Sequence, residues 1–149
     1  MGITGASQNS YTYDAEYLLR TFGAQTTSGL GTGNQAVDFG GAYYKGEVII
    51  DVADMFIDGA DDQIYDITYV MSNTAAFTGT DLYERISISL GAAGGKRTAA
   101  NVDNIVGRYI LGLDNEMAGV LYRYGRIQCV VAGTTPSISY QAFMGRNQG

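Results

Sequence analysis

The stretch Tyr122-Arg-Tyr-Gly-Arg-Ile-Gln-Cys-Val-Val-Ala-Gly-Thr-Thr-Pro-Ser-Ile-Ser-Tyr-Gln-Ala-Phe-Met144 decides the fold class of this chain. Ile127, Cys129 and Val131 recur at period two before Gly133-Thr134-Thr135-Pro136, and Ile138, Tyr140 and Ala142 do so after it. Each arm therefore presents one apolar face, as a β-strand does. Tyr, Ile and Val suit a pleated, half-buried surface. Pro136 donates no backbone hydrogen bond and belongs at a strand start or edge. The spacing predicts a C-terminal β-hairpin, and with it a structural or binding module rather than an enzyme.

Working outward, Glu47 to Asp58 is strand-like, with Val48, Ile50 and Val52 on one face; the phase shifts near Ala53-Asp54, as a β-bulge or a break would shift it. Asp58-Gly59-Ala60-Asp61-Asp62 supplies turn residues, and Tyr65, Ile67, Tyr69 and Met71 then resume the alternation, a second hairpin signal. Leu82 to Leu90 alternates through Ile86 and Ile88 and ends in the flexible loop Gly91 to Gly95; Arg108 to Leu113 adds a short strand, and Val37 to Phe39 another, ended by Gly40-Gly41. Residues 1–12 read as a mobile arm ahead of a single domain, 13–149. Tyr13 to Arg20 reads as a short helix capped by Asp14, with Tyr17 and Leu18 facing the body. Gly23 to Gly33 lacks hydrophobic period and reads as a loop or an extended arm of the kind that reaches a neighbour. Seven or eight strands without helix alternation predict an antiparallel β-sandwich.

Composition narrows the function. The chain has 149 residues, enough for one domain with a real core. Charged residues are only 16 % against 46 % apolar, which excludes a typical disordered region and suggests a surface made for lasting contacts. No apolar run is long enough to span a membrane, and the first ten residues lack a signal peptide's basic start and apolar stretch, so a soluble, cytoplasmically made protein is expected. The net charge of −6 without a Lys/Arg stripe argues against nucleic-acid binding. Acidic residues gather between Asp38 and Asp66, opposed by Lys45 alone, whereas beyond Tyr122 the only charges are Arg123, Arg126 and Arg146. That asymmetry suggests complementary faces suited to self-association or docking.

There is no histidine, so Ser-His-Asp and Cys-His catalysis and the usual zinc ligand mix are absent. Cys129, the single cysteine, reads as a small core residue. Paired-carboxylate hydrolysis would have to draw on Asp58, Asp61 and Asp62 with Asp51, Asp54 or Glu84. The Asp58 to Asp62 turn has the oxygens a hard cation needs but lacks the order of a calcium loop and reads as a solvated turn. Gly29-Leu-Gly-Thr-Gly33 has no strand-to-helix context for a phosphate loop. No catalytic residue, metal or cofactor is expected. Twelve tyrosines without tryptophan point instead to interfaces, where a ring is buried and its hydroxyl hydrogen-bonded. Tyr11, Tyr13, Tyr43, Tyr44, Tyr122 and Tyr124 lie in the stretches least needed for a core. Arg123 and Arg126 face opposite sides on a regular strand, unless Gly125 marks a bulge.

Arg123-Tyr124-Gly125-Arg126-Ile127, followed by Gly-Thr-Thr-Pro-Ser-Ile-Ser and a final apolar strand, resembles the end of the cement (capsid decoration) proteins of short-tailed bacteriophage heads. The resemblance continues more loosely through Ala24-Gln25, Val37-Asp38-Phe39-Gly40 and Ser72-Asn73-Thr74-Ala75-Ala76-Phe77. It covers residues 14–145 and departs from the family's pattern between Arg97 and Gly119. It implies a jelly roll, a homodimer, and a non-enzymatic role on the outer surface of the phage head, binding the major capsid protein and bridging capsomers. On that reading Tyr11, Tyr13, Tyr43, Tyr44, Tyr122, Arg123, Tyr124 and Arg126 are the capsid or subunit contacts. The alternative is a carbohydrate- or receptor-binding β-sandwich of a head fibre or tail accessory protein, to which an outer face of alternating Tyr and Arg is suited.

Overall fold

The computed structural model describes residues 17–58, 62–78, 82–91 and 106–145. Among them run Leu18–Arg20 (β1), Ala24–Gln25 (β2), Val37–Asp38 (β3), Lys45–Met55 (β4), Ile64–Ser72 (β5), Tyr83–Gly91 (β6), Gly107–Asp114 (β7), Glu116–Met117 (β8), Val120–Leu121 (β9), Tyr124–Ala132 (β10) and Ile138–Gly145 (β11). The fold is all-β and every pairing is antiparallel. One sheet has the order β1-β11-β4-β7, with β2 also on β11; the other has β3-β10-β5-β6; β8 and β9 form a ribbon of their own.

Period-two alternation places the core between the two sheets. Val48, Ile50 and Val52 of β4 and Ile138, Tyr140, Ala142 and Met144 of β11 meet Tyr65, Ile67, Tyr69 and Met71 of β5 and Ile127 and Cys129 of β10 in one cluster. The phase shift in the fourth strand is a bulge at Ala53: Ser139 pairs with Asp54 and Tyr140 with Val52, leaving Ala53 without a partner. Arg20 is fully buried. Its guanidinium donates to the carbonyls of Tyr140 and of Gly23 (2.9 Å) and lies 3.9 Å from the Tyr140 ring centroid; burial pulls its pKa below the usual guanidinium range.

Both expected hairpins are corrected. The strands exist, but β10 and β11 lie in different sheets, as do β4 and β5, so residues 133–137 and the described residues 56–58 and 62–63 belong to arches between the sheets. The two arches lie against each other. Thr134 donates its N–H and hydroxyl to the Asp62 carboxylate, and buried Gln63 donates to Thr134 O (2.7 Å) while accepting from Asp58 N. Tyr65 Oη donates to Phe56 O (2.6 Å) and accepts from Ser137 N (2.9 Å), tying one arch to the other. Gly133 has φ +104°, and a Cβ there would come 2.4 Å from Asp62 O, so glycine is required. Among the described residues, strands consecutive in the chain pair instead at β5–β6 and at β8–β9.

The short helix over Tyr13 to Arg20 is also corrected: residues 13–16 lie outside the described region, and Leu18–Arg20 is an edge strand on β11 that buries Leu19 rather than Leu18. Nor does the segment Gly23 to Gly33 extend away from the body. Ala24 and Gln25 pair with β11, the Gly29 N–H and C=O exchange 2.9 Å bonds with Cys129, and Ser28 Oγ accepts from Val131 N, so the segment runs from one sheet to the other and covers the β10 edge. The 1–12 arm, Gly59 to Asp61 and the glycine loop after Gly91 lie outside the described residues.

Candidate functional site

Three stretches that are far apart in sequence meet beside the start of β10. The Arg123 guanidinium makes a bidentate pair with Asp38 (Nε–Oδ1 2.7 Å, Nη2–Oδ2 3.0 Å), and its backbone N–H donates to Asn73 Oδ1 (2.9 Å). The Phe39 N–H donates back to Arg123 O (2.8 Å), while the Arg126 guanidinium lies 4.2 Å from the Phe77 ring centroid. Phe77 adopts φ +54°, a left-handed conformation that a bulky residue adopts only when its surroundings require it, and it is buried on the outer face of the sheet beside Arg126. The result is a small apolar and cationic corner built on the outside of the second sheet, next to the core but separate from it.

Electrostatically the corner is only partly basic. The bond to Arg123 holds the Asp38 carboxyl below its usual range, and Asp38 reciprocally raises the Arg123 guanidinium. Both side chains are about half exposed, so the pair adds little stability. Arg126 differs: burial lowers its pKa, and its Nε has no hydrogen-bond partner. The two arginines do not share a bulge, because the register of β10 on β5 is continuous from Tyr124 to Ala132; Arg123 simply precedes the strand. One link between the acidic middle and the basic end is intramolecular, and a second acidic residue of the middle is paired from β7. Asp38 pairs with Arg123, and Asp51 makes a bidentate pair with Arg108 (2.6 and 2.9 Å).

The tyrosines divide. Tyr44 is a core residue, its ring stacked on Phe39 (4.8 Å) and Tyr17 (5.8 Å), and offers no outer surface. Tyr122 is half-buried against the core with Tyr83 at 6.1 Å; Tyr124 is half-buried, with the Arg123 guanidinium 5.2 Å from its centroid. Tyr43 is exposed. Tyr11 and Tyr13 lie outside the described residues. The carboxylates nominated for hydrolysis are dispersed: Asp51 and Asp54 stand on β4 and Glu84 on β6 of the other sheet. Among the described residues no three His, Cys, Asp or Glu gather where they would hold a metal ion, and Asp62, nominated for calcium, is occupied by Thr134. Burial pushes the Cys129 thiol up to about 12, which leaves it protonated and unreactive.

What the sequence reasoning missed is a second feature, an open hollow of about 630 Å³ lined by Tyr43, Lys45, Glu47, Arg85, Gly112 and Asp114. Its marker, the unpaired Arg85, emerges only once β6 is paired with β5.

The titrating groups give a pH prediction. Asp38 and Asp62 are held below the ordinary carboxylate range by Arg123 and Thr134, so their contribution is present above about pH 4 and lost as pH falls through their folded values. Burial raises Cys129, Tyr69 and Tyr140, whose contribution is complete below the unfolded thiol and phenol values and lost in alkali. With no histidine in the chain, the melting temperature is expected to be flat between about pH 5 and pH 8 and to fall on both sides. Calorimetry across that range checks it; a transition near pH 6.5 would contradict it.

No protein-family model, curated protein or solved structure matches this chain.

Proposed function

We propose that this protein is a capsid decoration protein that seats on the outer surface of a phage head and holds neighbouring capsomers together, without catalysis. The observation that carries the reading is the convergence at one corner of three of the stretches that resemble the cement family: Val37 to Gly40, Ser72 to Phe77 and Arg123 to Ile127. The strand order supports the jelly roll of that family. Along the two sheet paths, counted in chain order, the first strand pairs with the eighth (β1–β11), the second with the seventh (β3–β10), the third with the sixth (β4–β7) and the fourth with the fifth (β5–β6). This is one long hairpin rolled into two sheets.

The physical task fits such a body. Packaged genome pushes capsomers apart, and a rigid two-layer module seated over a seam adds buried area on both sides, multiplied by many copies. A homodimer across a local two-fold position presents the same patch twice, as an isologous interface requires. Arg126, Tyr124 and the exposed side of the Arg123–Asp38 pair are the contact residues, facing the major capsid protein or a sister subunit. The experiment is co-sedimentation with expanded heads of the phage that carries the gene, with light scattering of the free protein. Saturable binding at a fixed ratio to shell protein, lost in Arg126→Glu, is the expected result; no binding to well-formed heads would overturn the reading.

A further inference from the structure

We propose that the hollow at the β7 edge of the first sheet is a binding site for an uncharged saccharide. The site lies on a different feature from the Arg123 corner and stands or falls independently of the capsid reading. Its size falls in the range of small-molecule sites.

Three features mark it as built. In the pairing of β6 with β5, Ile86 faces Tyr69 and Glu84 faces Val70, so Arg85 is the extra residue of a bulge. Bulges re-aim a side chain; this one sends the Arg85 guanidinium across to the other sheet, 3.6 Å from Asp114 on β7, with its Nε buried and without a partner. Next, Gly112 stands opposite Glu47 in the floor, and a Cβ there would meet nothing within 4 Å. Neither a positive φ nor a close neighbour requires glycine at that position; its effect is to leave the hollow open. By contrast, at Gly46 a Cβ would come 2.6 Å from both Gly145 O and Tyr44 Oη. Finally, Tyr43 presents an exposed ring at the rim whose hydroxyl donates to Asp114 Oδ2 (3.2 Å), which fixes the ring from its tip.

The lining chooses the ligand. Lys45 and Arg85 balance Glu47 and Asp114, so the hollow has no net attraction for an anion or a cation, and its donors and acceptors of both kinds stand around one aromatic face. A sugar ring meets that pattern: its apolar face stacks on the tyrosine while its hydroxyls both donate and accept.

The test is to titrate the isotope-labelled full chain with maltotetraose, cellotetraose, chitotetraose and mannotetraose to about 10 mM and follow the amide resonances. At least one sugar is expected to give saturable shifts at Gly46, Glu47 and Gly112. Tyr43→Ala should weaken binding at least about tenfold. Gly112→Val, which fills the hollow on a strand that tolerates a β-branched residue, should abolish binding while leaving the melting temperature unchanged. The absence of saturable shifts with all four sugars, shifts that survive both substitutions, or saturation only with inorganic phosphate as a control would each overturn the proposal.

Discussion

Gly125→Ala is expected to lower stability by about 3 kcal/mol, the upper end of what overpacking costs, and the melting temperature by about 10 °C. An ideal Cβ at Gly125 would stand 1.8 Å from Tyr69 Oη and 2.4 Å from Tyr69 Cζ. The ring cannot yield, because Tyr69 is 1 % exposed in the middle of the core and the glycine is itself paired on both sides, with Met71 of β5 and Val37 of β3. The glycine leaves the inner face of β10 open and the neighbouring strand's aromatic ring fills it, a cross-strand arrangement that stabilises a strand glycine. Chemical denaturation checks the value, and Tyr69→Val in the same chain should recover much of the loss as a coupling between the two sites. A loss below about 1 kcal/mol in the single variant would contradict the contact. Tyr69→Phe should cost nothing or stabilise, because the buried hydroxyl has no partner.

Asn115→Ala is expected to cost about 3 kcal/mol through lost hydrogen bonds rather than sterics. Asn115 is fully buried between β7 and β8. Its Oδ1 accepts from Tyr44 N (2.8 Å), and its Nδ2 donates to Ala42 O (2.8 Å) and Tyr122 O (2.9 Å); its backbone N–H and C=O bond to the same two tyrosine residues. One side chain thus fixes the approach to β4, the base of the β8–β9 ribbon and the stacked rings of Tyr17, Phe39 and Tyr44. Truncation strands the buried Tyr44 N–H. Asn115→Asp should be worse still, since a carboxylate would face two carbonyls. Urea denaturation of both variants tests the order; equal stability of the aspartate variant and the native chain would contradict it.

These two residues also show how far the sequence could be read. The six long strands were legible because their inner faces alternate over most of their length, and the interruption at Ala53 was visible as a slip of phase. Pairing was not legible. An alternating strand declares which face is inward but not which neighbour it bonds to, and Gly133 to Pro136 serves an arch as well as a hairpin, since both arms turn the same face to the core either way. What distinguishes the arches is the pairing of each arm in a different sheet, together with the bonds from Thr134 to Asp62 and from Gln63 to Thr134, which join residues far apart in the chain. Tyr17 to Arg20 has good helix formers, but pairing with β11 and burial of Arg20 override propensity. The β8–β9 turn is carried by Ala118 and Gly119, both at positive φ, where asparagine or aspartate before glycine would have announced it.

The site was legible in part for a related reason. Arg123 and Arg126 stood out in the sequence because they are the only charges in a long apolar stretch, but their neighbours, Asp38 and Phe77, come from other strands and loops that only the folded sheet brings together. Tyr44 was misread because its surroundings in the chain are glycine-rich and polar, while its aromatic neighbours are distant in sequence or separated from it by a turn at Gly40-Gly41.

The proposal that this chain stabilises a phage shell by bridging its capsomers is tested most directly by heating expanded phage heads, with and without saturating protein, and following genome release. The account predicts release at a higher temperature in the decorated heads, with the gain lost for Arg126→Glu; the same release temperature in decorated and bare heads would contradict it.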